Sequence, residues 1–434
     1  CHVKGGTITS TSGARVGGLI GYTAGYNKQD DGPVDTCVTL KNCSVSGLTI
    51  TANGSVGGLI GHAGGDAWTY STITNCDVSN CTLNGKYVGD LIGTANSGQV
   101  TVDQATVDHT KDNTRTQDNA TGEAIENGLV GRAVLNDTGL LIVAGKVTAA
   151  ESTVAIVIPK DGGAMTQYSS LSDAVEAANE GDTVVLVKNV TLAKDESLTI
   201  IANKNFTLDL NGCTISQEKK QTSGHSLLTN NGTLVIKDSS AAGTGKITYE
   251  DTGSGSGTSY TSNTITNKGT LTLESGTIEN TCSTHTPHNG LPYAIDNQSG
   301  SSAASLTITG GTVDCKAYSA IRLYCNSTAN TNSATISGGT IRGCVEYQGV
   351  SSGVYGSLTI TGGNFGPNAV PMKRSLLVFG KKNQNYDCRN MTCSITGGTF
   401  ERLVEAVNDA INFNGSTPFI TGGTYKNGQY KEQT

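Results

Sequence analysis

Proline is scarce in this chain, 7 of 434 residues, aromatic residues make up 5% and tryptophan occurs once, at Trp68. So few rings argue against a cleft that grips sugars through aromatic walls. Charged residues are only 15%, with a formal net charge of −7, so there is no basic footprint for nucleic acid or an anionic membrane, and polyanions are not expected partners. The few basic pairs, Lys219-Lys220, Lys373-Arg374 and Lys381-Lys382, read as solvated loops. No apolar run reaches the length of about 18 residues that a membrane helix needs, and no signal peptide or lipidation motif is found. The twelve cysteines include no CxxC and no Cys/His metal spacing, which excludes a zinc site of that kind. Neither a metal nor a cofactor is expected. Asp30-Asp31-Gly32 falls short of an EF-hand or a calcium-binding repeat array, and no Ser-His-Asp or Cys-His set can be assembled from order and spacing. His62 and His109 stand alone without a second ligand at metal spacing and read as exposed loop residues.

What is abundant is glycine, 57 residues, set among threonine, serine and asparagine with regularly spaced apolar residues. CHVKGGTI from Cys1 aligns with CSVSGLTI from Cys43, CDVSNCTL from Cys76 and, more loosely, VTVDQATV from Val100. A second motif follows, VGGLIGYTAG from Val16, VGGLIGHAGG from Val56, VGDLIGTAN from Val88 and a degenerate NGLVGRA from Asn127. Fixed motifs at variable spacing mean a constant frame with loops of changing length. Apolar residues such as Val45, Leu48 and Ile50 are separated by one or two small residues, which is strand periodicity interrupted by bends. Glycine supplies the tight corners. One such unit cannot bury its apolar side, but stacked copies bury a continuous core, so the pattern predicts a parallel β-solenoid.

The Gly18-Leu19-Ile20-Gly21 and Gly58-Leu59-Ile60-Gly61 cores resemble the GLUG repeat, over about the first third of the chain. GLUG repeats are associated with large bacterial surface proteins, adhesins and peptidases that use them as stalk or spacer, so the resemblance implies a surface location and carries no catalytic residues. Departures are Asp90, in place of the second glycine of the third copy, and a polar insertion from about His109 to Glu126. Cys1 sits in repeat register with Cys43 and Cys76, so the expectation is a chain cut from a longer protein, with targeting and anchoring signals outside it. Stacked cysteines in neighbouring rungs, Cys43 with Cys76 and Cys315 with Cys344, are expected to form a buried thiol column, with a disulfide as the alternative.

In the second half, SSLSDAVEAANEGDT carries a helix signal near 171–179: Ser170 caps, Leu171, Ala174, Val175 and Ala178 mark one face, and Gly181 ends it. Strands follow, and a helix in this position covers the otherwise exposed end of the first rung. The Leu171-to-Ala178 helix, Gly181-Asp182-Thr183 and Leu208-Asp209-Leu210-Asn211-Gly212 look like the opening of right-handed parallel β-helix domains of the pectate-lyase-like superfamily. Turns of the GGT type then recur with their last glycines at 276, 311, 339, 363, 398 and 423. The expected architecture is therefore all-β, with a GLUG-type solenoid over 1–145, a linker or strand pair over 146–168, and a helix-capped β-helix over 169–434.

The most polar and aromatic stretch runs from His285 to Tyr355 and includes His288. In pectate-lyase-like enzymes carboxylates from successive rungs line a groove, so that resemblance makes Asp296 and Glu346 the candidate catalytic pair. Tyr293, Tyr318, Arg322, Tyr324 and Tyr347 are the candidate ligand-binding residues, as a platform for a glycan or peptide. The functional expectation is an extracellular, surface or secreted, adhesin-like or stalk segment facing glycans or host proteins, without catalysis. The alternative is a polysaccharide lyase or glycoside hydrolase working in the β-helix groove, and a third reading is a pure spacer.

Overall fold

Equivalent residues of successive repeats lie on top of one another. Val16, Val56 and Val88 share one parallel sheet in register, and Ile20, Ile60, Ile92 and Val130 share the next. The chain is an all-β parallel solenoid. The computed structural model describes residues 1–24, 26–28, 32–34, 36–65, 68–117, 126–135, 139–217, 225–250, 262–282, 292–299, 302–366, 374–379, 390–406, 419–426 and 430–432. It forms two compact units, Cys1–Thr153 and Val154–Thr434. His285, His288, Lys219, Lys220, Lys373, Lys381, Lys382, Asp30 and Asp31 lie outside the described residues.

In the first unit each rung is a series of short strands joined at glycine corners. Val45 and Val78, Leu59 and Leu91, and Ile60 and Ile92 are fully buried and fill the core from rung to rung. The second glycine of the corner is required by close approach: a Cβ on Gly58 would stand 2.1 Å from the carbonyl oxygen of Asp90 in the next rung. Asp90 itself turns its carboxylate to Arg115, 3.4 Å from Nε.

Two details of the repeat alignment are corrected. Val100 does not continue the Cys-x-Val column: Gln99–Val102 pairs with Thr69–Thr74 and Leu140–Val143, and the column continues at Thr110–Lys111 beside Asp77–Ser79. The reason is an inserted five-residue helix, Gln104–Asp108. Asp103 caps it, accepting from the Thr106 amide at 2.9 Å, and the Thr106 hydroxyl accepts from the Cys76 amide at 3.0 Å. The sequence expectation of a single helix missed this turn, which is too short to show a periodic apolar face. Cysteine stacking is divided. Cys43 and Cys76 are buried free thiols in neighbouring rungs, whereas Cys344 pairs across the ladder with Ser319 because the register shifts between Asp314 and Ser319.

The segment 146–168 holds three strands. Lys146–Ala149 folds back antiparallel on Leu140–Val143, and Ala155–Ile158 pairs antiparallel with both Thr166–Tyr168 and Thr183–Leu186. The helix Leu171–Ala177 buries Leu171, Ala174 and Val175, with the Ser170 hydroxyl accepting from the Asp173 amide at 3.4 Å. Its C-terminal carbonyls are closed by Lys204, whose ammonium donates to Glu176 and, at 2.8 Å, to Ala178.

Beyond the helix, parallel strands stack in two large sheets, of ten and sixteen strands. Leu208, Ile236, Leu273, Ile308, Ile336, Ile360 and Ile395 form one apolar column, and Leu228, Ile265, Ile295, Ile321, Val345, Leu376 and Val404 another. At the last rungs Phe365, Phe400 and Tyr425 stack face to face, with centroids 4.7 and 5.0 Å apart. An asparagine ladder runs inside the core: Asn230 Nδ2 donates to Asn267 Oδ1 at 2.8 Å and Asn267 Nδ2 to Asn297 Oδ1 at 2.6 Å, all three residues fully buried. These amides also bind the adjoining turns, so the polar ladder leaves no core backbone group of the corner in want of a partner at Gly232 or Gly269.

The GGT corner needs both glycines for different reasons. Gly339 has φ +79°, the left-handed region, while a Cβ on Gly338 would lie 2.1 Å from the Thr309 carbonyl oxygen of the preceding rung. Gly338→Ala is therefore expected to lower the stability of the second unit by about 1–3 kcal/mol, as overpacking does. Denaturant unfolding followed by far-ultraviolet circular dichroism checks this, and an unchanged midpoint would refute the close-approach account.

Candidate functional site

Thr266, Asp296, Arg322 and Glu346 occupy one register position on four successive strands, Ser262–Asn267, Tyr293–Gln298, Thr312–Cys325 and Thr340–Gly349. Each follows directly on a core residue, Ile265, Ile295, Ile321 or Val345, so alternation sends it to the opposite face of the sheet. On an ordinary solenoid that face is wet. Here Asp296 is 0% and Glu346 2% exposed.

Burial is matched by hydrogen bonds. Arg322 grips Asp296 with two nitrogens, Nε to Oδ1 at 2.7 Å and Nη2 to Oδ2 at 2.5 Å. Asn263 Nδ2 donates to Asp296 Oδ2 at 3.1 Å and to the Thr266 hydroxyl at 3.0 Å. The guanidinium lies between two rings, 4.6 Å from the centroid of Tyr293 and 4.5 Å from that of Tyr324. Glu346 has no bidentate cation. It accepts from Ser319 at 2.6 Å, from the Tyr293 hydroxyl at 3.4 Å, and from Tyr318. Tyr318 stands edge-on to Tyr293 at 5.7 Å.

The electrostatics follow from this arrangement. Burial pushes the Glu346 carboxyl above the usual range, against the pull of the three hydroxyls and of Arg322. Burial also raises the Tyr293 and Tyr318 phenols, and the Glu346 carboxylate adds to both shifts. For Arg322 burial works against the charge, but the bond to Asp296 outweighs it and holds the guanidinium above its ordinary value. Such a group is a lock between strands: an ion pair sandwiched by aromatics beside an acid held by hydroxyls.

The structure thus brings together six of the seven sequence candidates, Asp296, Glu346, Tyr293, Tyr318, Arg322 and Tyr324, but as an internal network. Arg322 occupies the strand between the two carboxylates, and both Asp296 oxygens are taken. Tyr347 belongs to the other face: it is fully buried in the core and donates to the Thr392 carbonyl at 3.0 Å. Tyr355, 38% exposed, is the one tyrosine of the stretch with substantial open surface among the described residues. Asn263, Thr266 and Ser319 escaped the sequence reading, because Ser, Thr and Asn in a repeat look like turn residues. Register is the signal that finds them: Thr266 is opposite Asp296, and Asn263 and Ser319 flank Tyr293 three residues earlier on their strands.

Of the two lone histidines only His62 departs from the exposed-loop reading. His109 is exposed but closes the short helix as its C-cap. His62 is on the strand Ile60–Ala63 and only 8% exposed, because its repeat position faces the groove between two sheets rather than a loop. Among the described residues no group of three or more His, Cys, Asp or Glu is placed to hold a metal ion, and no helix is long and apolar enough to cross a membrane. Comparison of the chain with protein-family models, with curated proteins and with solved structures finds no match in any of the three.

The raised Glu346 carboxyl has a definite linkage sign. A folded pKa above the unfolded value, about 4.3, contributes stability that is complete below the unfolded pKa and is lost as pH rises through the folded one. Glu346→Gln, which cannot ionise, is expected to gain stability relative to the parent as pH rises from 4 towards 8. Glu346→Ala strands three hydroxyls and is expected to cost about 1–3 kcal/mol at pH 4, a cost that shrinks as pH rises because alanine does not ionise either. Paired denaturant titrations across that pH range measure both, and a Gln-minus-parent difference that does not change with pH would contradict the assignment.

Proposed function

We propose that the chain is an extracellular segment of a bacterial surface or secreted protein, an adhesin-like stalk that presents a binding surface to glycans or host proteins and carries no catalysis. The observation that carries this reading is the state of the two acidic candidates. Asp296 is fully buried, bidentate with Arg322, and Glu346 is spent on hydroxyls of its own scaffold. An acid or base for glycoside chemistry must reach the substrate, and the pair must leave room between them for a sugar or a water. A solenoid whose polar face is locked in this way suits a stiff spacer. The likeness of Gly18-Leu19-Ile20-Gly21 and its copies to GLUG repeats, and of the capped second unit to pectate-lyase-like β-helices, supports a surface location.

The second reading is a polysaccharide lyase or glycoside hydrolase. One observation favours it: Glu346 is an acid held protonated to higher pH two strands away from an ion-paired carboxylate, and acid–base enzymes also hold two carboxyls in different protonation states. Incubation of the full chain with a panel of neutral and acidic polysaccharides, scored for retention and for new reducing or unsaturated ends, separates the two. Retention without new ends is the expected result. New ends that vanish in Asp296→Asn or Glu346→Gln would replace the stalk by the enzyme.

A further inference from the structure

The first unit holds a groove of about 430 Å³ whose wall contains Arg15, Lys86 and Arg132 and no acidic residue. Its floor is made by two neighbouring columns. Arg15, Ser55 and Tyr87 share a register position in one sheet, and Tyr22, His62, Thr94 and Arg132 share one in the next. The Ser55 and Thr94 hydroxyls join the columns at 2.7 Å.

The cations are held but not neutralised. Arg15 lies over the Tyr22 ring at 4.1 Å, and Arg132 and Lys86 flank the Tyr87 ring at 4.6 and 5.4 Å. Stacking on a ring face fixes a guanidinium plane while leaving its edge N–H groups to reach a ligand. None of the three is paired with a carboxylate among the described residues. Beneath them His62 packs edge-on to Tyr22 at 5.1 Å, and its buried Nε2 has no hydrogen-bond partner. A buried polar atom without a partner is costly in a folded protein, and this one belongs to a ring that lines a cationic groove, which points to a ligand.

We propose that this groove binds an anionic saccharide, with uronate carboxylate or sulfate ester groups taken by Arg15, Lys86 and Arg132 and an oxygen of the ligand bonded to the His62 ring. Arg15 is on the first rung and Arg132 on the fourth, roughly 14 Å apart at about 4.8 Å per rung, which suits an extended oligosaccharide better than one small ion. The net charge of −7 had argued against polyanion partners; that argument holds for the surface as a whole, and the groove gathers positive charge locally. Burial and the nearby Arg15 charge hold the His62 pKa down to about 4, so at neutral pH the ring is an uncharged hydrogen-bonding group and the three cations supply the attraction. The proposal deepens the reading of the chain as a surface binding segment by giving it a ligand class.

Calorimetric titration of the full chain at fixed ionic strength tests it with an oligogalacturonate, a sulfated glycosaminoglycan fragment, a neutral oligosaccharide of equal length and inorganic sulfate. Binding of one or both anionic sugars and not the neutral one is expected, and the two anionic arms tell carboxylate from sulfate ester. Arg132→Ala and Arg15→Ala are each expected to weaken binding about tenfold or more, while Lys426→Ala, in the other unit, leaves it unchanged. Bound anion offsets Arg15, so the His62 titration followed by NMR is expected to move up. Equal binding of neutral and anionic sugars, no binding of either anionic sugar, or indifference to both arginine substitutions would overturn the proposal. Turnover of a bound anionic sugar would instead overturn the non-catalytic reading and leave the groove standing.

Discussion

Parallel pairing in exact register from one rung to the next is the constraint on which everything else in this protein depends. With strands about 4.8 Å apart, each side chain's nearest neighbour is the residue at the same position one repeat away. A column must therefore tolerate being stacked on itself. Isoleucine, leucine and valine do so by interdigitation, asparagine by passing an amide proton to the next amide, and phenylalanine by face-to-face stacking, as Phe365, Phe400 and Tyr425 show. Glycine enters where the next rung's carbonyl leaves no room for a Cβ, as at Gly58 and Gly338.

The same constraint explains why so much of the fold is legible in the residues. A repeat that stacks on itself must write itself repeatedly, so the VGGLIG and GGT motifs announce both the strands and the corners between them. The cap helix is legible for a different reason: Ser170, Leu171, Ala174 and Val175 obey ordinary helical periodicity and capping. What was not legible is what breaks the repeat. The helix Gln104–Asp108 displaces the fourth Cys-x-Val strand by several residues, and alignment by motif chose Val100 where register chose Thr110. The bulge after Asp314 likewise moves Cys344 off the column of Cys315. Loop length is free in a solenoid, so insertions leave no periodic signal.

The candidate site was legible in membership and not in environment. Polar and aromatic residues between Tyr293 and Tyr347 do cluster, but composition cannot tell an outward face open to water from one that is covered. Asp296 and Arg322 are opposite one another because their strands pair in register, and that pairing turns two candidates for function into partners for each other. A fully buried carboxylate needs its remaining hydrogen-bond capacity filled, and Asn263 fills it for Asp296. Glu346 shows the other solution, a carboxyl without a dedicated cation held by three hydroxyls and by a pKa moved towards its neutral form.

In a molecule built by repetition, function is most economically sought where a column stops repeating. The Ile20, Ile60, Ile92 and Val130 column changes little because the core demands it. Two residues further along the same strands the sequence reads Tyr22, His62, Thr94 and Arg132, four side chains with no stacking chemistry in common. The facing column, Arg15, Ser55 and Tyr87, is equally mixed. Stability alone would be served by threonine or serine at these positions, as it is along the exposed strands of the second unit. Instead the two columns hold Arg15 and Arg132, which with Lys86 next to Tyr87 make three cations without acidic partners near a buried imidazole nitrogen that has no hydrogen-bond partner. The Asp296 network is also mixed, yet each of its charges and nearly all of its polar atoms are answered from within. That difference, charges answered within the Asp296 network and cations left without acidic partners in the groove of the first unit, is the physical ground for proposing the groove, and not the network, as the place of recognition.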